Sequence, residues 1–324
     1  MKVLKYVFRL FLLLIIAFGI FYFWAKSATL LESDYTKVIT KNYQNVQKND
    51  SIFSIVTYNI GYLSGMTNNL PLEKSKELFD KNLQTVLKET KKIHPDFIAF
   101  QEIDYNSNRS YFVNQQNEIA KLGYNYIAEA TNWDKTYVPF PYWPMKMHFG
   151  KVVSGQSVLS KFPINNHQRI VLQRVVDIPF YRDALYLERL AQVVEVAIND
   201  KTLIIINVHL EAYDVTTRAK QFDEVLALFN SYKDKVPTIL LGDFNSEARN
   251  KSSIIHQLFT MQNVGNAAFK SDVILNTFSS ENPQKRIDYI FYTKNSIEYI
   301  SGSVLTQFGD ASDHLPLEMK FKLK

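Results

Sequence analysis

At six places this sequence sets an acid, an amide or an imidazole at the end of, or inside, a short apolar run. Asn59 follows 52–58, Glu102 follows 97–100 and His209 follows 203–208. Asp243 and Asn245 follow 239–241 and Gly242, Asp288 lies within 286–290, and Asp313 directly precedes His314. Carboxylates are hard oxygen ligands for a cation and acceptors for a proton. Imidazoles and carboxamides donate hydrogen bonds to charge growing on a reacting oxygen. Asp243 and Asn245 are two residues apart, so an extended backbone projects both to one side. Each residue alone has a structural explanation. Asn59 suits a turn, Asp288 can pair with Arg286, and the chain has six histidines, any of which can be structural. The repetition at strand ends, where a rigid scaffold carries loops, points to a site. There are no cysteines, so any metal sits on oxygen or imidazole.

The runs that carry these residues read as buried strands, and helices lie between them. Strands are expected at 52–58, 97–100, 156–160, 190–198, 203–208, 238–241, 287–292 and 317–322. Helical spacing marks 73–93 and 113–122, and 217–231 with Thr216 or Thr217 as its cap. His94-Pro95 closes the first, and Asn199-Asp200 suits a hairpin turn. Several strands are adjacent in sequence, so two packed sheets flanked by helices fit better than a doubly wound parallel sheet.

Residues 1–26 stand apart. Lys2, Lys5 and Arg9 precede an uncharged run from Leu10 to Ala25 that ends in Phe21-Tyr22-Phe23-Trp24. This predicts a transmembrane anchor with a cytoplasmic N-terminus and the domain outside, periplasmic or extracellular. The alternative is a secreted protein after signal cleavage near Ala25-Lys26-Ser27-Ala28. Residues 27–50 read as a polar linker and 51–324 as the domain. Four of the 37 basic residues precede Glu32, leaving 33 against 32 acidic ones. The domain is therefore almost neutral, without the charge of a protein that grips nucleic-acid backbones along a groove.

The segments TYNIG (57–61), AFQEID (99–104), VLSKFPI (158–164), NVHLE (207–211), LLGDFNS (240–246), RIDYIF (286–291) and SDHLPL (312–317) resemble, in order and spacing, the endonuclease/exonuclease/phosphatase superfamily. QEIDYNSNRS (101–110) is similar to its bacterial membrane-associated hydrolases, and the likeness extends to neutral sphingomyelinases. The resemblance covers about 51–322 and implies an α+β fold, a four-layer α/β/β/α sandwich of the DNase I type, here preceded by one transmembrane helix. It implies metal binding at Glu102, with Asn59 in or near the shell and Asp288 and Asp313 adding to this or to a second position. The cofactor implied is Mg²⁺, with Mn²⁺ as the alternative. His209, Asp243, Asn245, Asp313 and His314 are the implied catalytic residues. Asp313 is expected to orient His314. His314 and Asp243 both stand as the base for an attacking water. Where many nucleases of the superfamily carry an Asp, two residues after the matched Asn, this chain has Gly61.

The expected function is therefore a Mg²⁺-dependent phosphodiesterase or phosphatase. The anchor favours a lipid headgroup as substrate, with the membrane as partner. An extracellular nuclease and an inactive binding module on the same fold are the alternatives. Residues 136–150 contain Pro139, Pro141 and Pro144 with five large aromatic residues. Two readings stay open: a loop that buries its own rings, or an exposed loop at the lipid interface.

Overall fold

The computed structural model describes residues 2–44, 51–269 and 275–324. Its strands are β1 (Thr36–Thr40), β2 (Phe53–Asn59), β3 (Phe97–Asp104), β4 (Tyr126–Val138), β5 (Gly150–Ser160), β6 (Ile164–Val171), β7 (Leu190–Ile198), β8 (Lys201–His209), β9 (Thr238–Asp243), β10 (Val264–Asn266), β11 (Asp288–Thr293), β12 (Ile297–Val304) and β13 (Leu317–Leu323). The long helices are α1 (Lys2–Ala25), α2 (Lys76–Ile93) and α3 (Val215–Tyr232). Seven strands form one sheet in the order β1-β4-β5-β3-β2-β13-β12, and six form another in the order β10-β11-β9-β8-β7-β6.

Three apolar layers hold these elements. Between the sheets lie Ile55, Phe97, Val158, Val194, Ile205, Ile239, Leu241 and Ile290. Phe79, Leu83 and Val86 of α2 pack with Val56, Ile98 and Phe100 from the outer face of the first sheet. Phe222, Val225 and Phe229 of α3 pack with Ile206, Leu240 and Phe291 from the outer face of the second. The order is helix, sheet, sheet, helix, the four-layer sandwich expected from the sequence. The central strands β2, β8 and β9 are so uniformly apolar because both of their faces are covered.

Most strands pair antiparallel, but each sheet has one parallel pair. β2 and β3 are joined through α2, and β8 and β9 through α3. Such units present the carboxyl ends of both strands at one edge, where open α/β sheets bind ligands. Asn59 and Glu102 come from the first pair, His209 and Asp243 from the second. Gly242 is required here, because a Cβ would lie 2.0 Å from the Val208 carbonyl oxygen of the neighbouring strand.

Some expectations change. The polar lead-in is not all tether: β1 pairs antiparallel with β4, Thr36 opposite Ala130 through Thr40 opposite Tyr126. Its one-sided polar sequence hides the strand, since only part of it is covered. Residues 45–50 of that lead-in lie outside the described residues. The N-cap of α3 is Asp214, whose carboxylate accepts from Thr217 N–H at 2.6 Å, rather than a threonine. The 136–150 segment begins as the end of β4.

Candidate active site

Glu102 sits in a bulge of β3. The register with β5 shifts between Phe100 and Ile103, and Glu102 takes φ +51°. A bulge re-aims a side chain at the edge of a sheet. A left-handed conformation in a glutamate costs about 1–3 kcal/mol, which the surroundings must hold. Gln101 supplies the hold: its amide donates to Asn207 Oδ1 at 2.6 Å and to Thr57 Oγ1 at 3.1 Å. Asn207 in turn donates to the Phe100 carbonyl and to Gln192.

Asn68 Nδ2 reaches Glu102 Oε2 at 3.0 Å and Asp313 Oδ1 at 3.3 Å, bridging the two carboxylates. Gly61 explains how it fits. At φ +52° a Cβ on residue 61 would meet Asp313 Oδ1 at 2.8 Å, Ser312 Oγ at 2.9 Å and Asn68 Nδ2 at 3.2 Å. The space a side chain at residue 61 would need is filled by Asn68 and Asp313.

The second sheet contributes three groups in a row. His209 is opposite Asp243 in the parallel pair, and Asp288 is opposite Asp243 on its other flank. Asp243 Oδ1 accepts from Asn245 N–H at 2.9 Å, and Oδ2 accepts from Asn59 Nδ2 at 3.0 Å. Asn59 thus ties the two sheets, while its own oxygen accepts from Gly61 N–H at 3.1 Å. His209 Nε2 lies 3.6 Å from both Glu102 Oε1 and Asp243 Oδ2. His314 Nε2 lies 3.8 Å from Asp243 Oδ2, and its Nδ1 lies 3.0 Å from Asp288 Oδ2. All seven predicted site residues outside Asn245 therefore form one chain of contacts: Asp313, by way of Asn68, then Glu102, His209, Asp243 with Asn59, His314 and Asp288. Asn245 adjoins it through its main chain.

Three expectations are revised in detail. His314 is oriented by Asp288, not by Asp313: Asp313 turns to Asn68, whereas β11 places Asp288 against the imidazole. The Asp288 carboxylate is likewise not held by Arg286, which donates to the Asp288 main-chain oxygen instead. Asn245 joins Asp243 through a tight turn at φ +48° rather than through the pleat of the strand, which ends at Asp243. One of its amide hydrogens is used on the Leu210 carbonyl at 3.0 Å.

Burial dominates the electrostatics. It raises Glu102 above the ordinary carboxylate range, and the Asp313 charge adds to this. Burial also pushes Asp243 up to about 7, helped by Asp288 and opposed by His314. At His314 burial alone would remove the proton, but Asp288 and Asp243 outweigh it and hold the imidazole well above 6.5. His209 goes the other way, since burial and the neighbouring Arg189 keep it neutral. Arg189 Nη1 lies 2.6 Å from His209 Nε2, and Arg189 Nε lies 3.3 Å from Glu211 Oε2. A neutral imidazole that accepts at Nε2 carries its proton on Nδ1, which has no partner among the described residues.

Sequence reasoning passed over Asn68, Arg189 and Asn207. Asn207 lies inside NVHLE, and its burial before His209 was a usable signal. Asn68 is in a polar turn and Arg189 precedes its strand, so neither had one.

The donor set suits a hard divalent cation. Glu102 and Asp313 are two carboxylates brought together with only an amide between them, an arrangement that favours a positive charge. Asp243, Asp288 and His314 also lie close enough to share an ion. Their geometry is better described as a proton-holding network, because His314 Nδ1 is already engaged by Asp288.

The family described as Endonuclease/Exonuclease/phosphatase matches residues 56–314. No curated protein matches the sequence. Among solved structures, an endonuclease/exonuclease/phosphatase from Beutenbergia cavernae DSM 12333 has a TM-score of 0.61 at 20% identity, over 84% of this chain and 72% of that one. The human Nocturnin catalytic domain with bound sulfate has a TM-score of 0.59 at 20% identity, over 89% and 98%. ANGEL2, a 2′,3′-cyclic phosphatase in complex with adenosine-2′,3′-vanadate, has a TM-score of 0.57 at 17% identity, over 89% and 98%. These likenesses are of fold.

Proposed function

Since the chain belongs to the endonuclease/exonuclease/phosphatase family, enzymes that hydrolyse phosphoric ester bonds, we propose that it is a Mg²⁺-dependent phosphodiesterase or phosphatase, tethered by α1 with its domain outside the cytoplasm and acting on a lipid headgroup. The observation that carries the chemistry is the unbroken contact chain from Asp313 to Asp288. It sets a cation-seeking pair of carboxylates beside groups that hold and accept protons.

Glu102 and Asp313 would hold the cation. When bound, it withdraws charge from a phosphoryl oxygen. His314, kept protonated by Asp288, donates to another phosphoryl oxygen, and the remaining amide hydrogen of Asn245 is available to do the same. Asp243 takes the proton of the attacking water at Oδ2. Its pKa of about 7 is matched to a general base at neutral pH. This favours Asp243 over His314, which holds its proton more strongly. His209, neutral and placed between Glu102 and Asp243, spaces the two halves of the site. The ester oxygen leaves as an alcohol after gaining a proton from solvent or from His314.

The lipid assignment rests on the anchor and on the neutrality of the domain. It is tested by assaying the full chain in detergent against bis-p-nitrophenyl phosphate, a sphingomyelin-like lipid and plasmid DNA, with Mg²⁺, Mn²⁺ and EDTA. Cleavage of the lipid and the small diester, abolished by EDTA, is the expected result. Cleavage of DNA in preference to both would overturn the lipid assignment and favour the nuclease.

A further inference from the structure

The anchor is fixed to the domain. Thr136 N–H donates to Ser27 Oγ at 2.6 Å, and Lys135 Nζ donates to the Lys26 carbonyl at 3.3 Å. The last turns of α1 also touch domain rings. Tyr137 packs on Phe21 and Trp24 with centroids 5.9 and 5.7 Å apart, and Phe180 packs on Tyr22 at 5.6 Å. Lys26 Nζ folds back over Tyr22 and Phe23. A lysine at the end of an apolar helix marks the polar border of a membrane, with its stem along the apolar side. Tyr22 is four residues before it, about 6 Å deeper at 1.5 Å per residue. Tyr137 and Phe180 therefore meet the helix on the lipid side of its charged end.

Around these two rings the domain leaves large apolar groups uncovered. Tyr142 is 62% exposed, Trp143 75% and Phe180 66%, with Met145 and Tyr181 also exposed. The 139–149 loop is stiffly held at its base. Phe149 is buried against Trp133, and Tyr137 Oη bonds His148 Nδ1 at 2.7 Å. His148 Nε2 also lies 3.0 Å from the Tyr142 carbonyl. So the loop divides its aromatic residues: Phe149 is covered by the sandwich, while Tyr142 and Trp143 are turned outward. Tyrosine and tryptophan are favoured at a bilayer interface, where one end of the ring is apolar and the other wet.

We propose that the 139–147 loop and the 176–181 segment form a second membrane contact, a face that lies on the bilayer around the root of α1. Its occupant is the lipid interface from which that helix rises, since Tyr137 and Phe180 pack on the helix and lead on to exposed rings, Tyr137 through His148 to the Tyr142 carbonyl and Phe180 to Tyr181. The domain then has one fixed posture on the membrane. This inference concerns placement and does not depend on which ester is cleaved.

The chain has no cysteines, so single spin labels are unambiguous. Four variants of the full chain, W143C, F180C, L14C and S301C, are labelled and reconstituted in phosphatidylcholine vesicles. Leu14 lies within α1, and Ser301 lies on β12, at the sheet edge opposite β1 and β4. Labels at residues 143 and 180 should be more accessible to oxygen than to a water-soluble nickel complex, as at residue 14, with the order reversed at residue 301. In the same vesicles W143S with F180S should lower cleavage of an embedded ester roughly fivefold or more, with cleavage of a small soluble ester unchanged. Water-like accessibility at residues 143 and 180 beside a lipid-exposed residue 14 would overturn the contact. So would a water-like residue 14, which removes the membrane itself, and so would spin–spin broadening at residue 143, which would assign the face to a second copy.

Discussion

His314 Nδ1 lies 3.0 Å from Asp288 Oδ2, while the acid next to it in sequence, Asp313, faces Asn68. His314 and Asp288 should therefore act as a unit. H314A should lower kcat/KM on a soluble phosphodiester by about 100-fold or more, the usual scale for a lost proton-handling group. D288A combined with H314A should be scarcely worse than the worse single variant, because units of this kind are non-additive. D313A combined with H314A should multiply its losses. The reverse pattern would return the orienting role to Asp313.

Asn68 was not foreseen, and it gives a sharper test of the cation site than either carboxylate. N68A removes the bridge between Glu102 and Asp313 while leaving both charges in place. Metal affinity, followed by calorimetry with Mn²⁺, should fall about 10- to 100-fold, the usual effect of losing a partner that orients ligands. E102Q should abolish the metal-induced rise in melting temperature altogether. An unchanged affinity in N68A would place the cation elsewhere.

The pH dependence has a definite sign. Burial and Asp313 raise the pKa of Glu102, so in the free protein its proton persists to higher pH than in an exposed glutamate. A cation must displace that proton. Affinity for Mn²⁺ should therefore weaken as pH falls from 8 to 5, with protons released on binding. The acidic limb of kcat/KM should reflect Asp243, about 7 without a cation and lower beside one, since positive charge favours the carboxylate. Affinity that is flat across this range would contradict the assignment of Glu102.

Truncation should separate α1 from the lead-in. A chain starting at Ser51 loses β1 and leaves the edge of β4 unpaired, which invites association between copies. It should melt at least about 2 °C below a chain starting at Ser27, the shift expected for a loss near 1 kcal/mol in a domain of this size. Light scattering on heating should also appear earlier. Equal melting temperatures would show that β1 adds nothing to the fold.

Much of the architecture was legible because strands covered on both faces are strongly apolar, as at 203–208 and 238–241. β1, β6 and β12 were not, since half or more of their residues face solvent, and neither was β4, where Glu129, Asn132, Asp134 and Lys135 interrupt the apolar pattern. The site residues were visible as polar groups ending such strands. Their pairing was not, because it depends on register between strands far apart in sequence. The β11–β9 ladder sets Asp288 beside Asp243, and His314 meets it from the segment ahead of β13 in the other sheet; Asn68 fits against Glu102 and Asp313 because residue 61 has no side chain. The bulge at Glu102 has no signature in Phe-Gln-Glu-Ile.

β13 lies inside its sheet, between β2 and β12, although it follows every other strand in the chain. The first sheet is thus closed by the segment that comes last among those described, and Asp313 and His314 arrive just ahead of it. A ribosome-bound chain that has emerged only as far as β11 holds Glu102, His209, Asp243 and Asp288 but neither of these two. The segment that completes the first sheet therefore also delivers the last two polar groups of the candidate site.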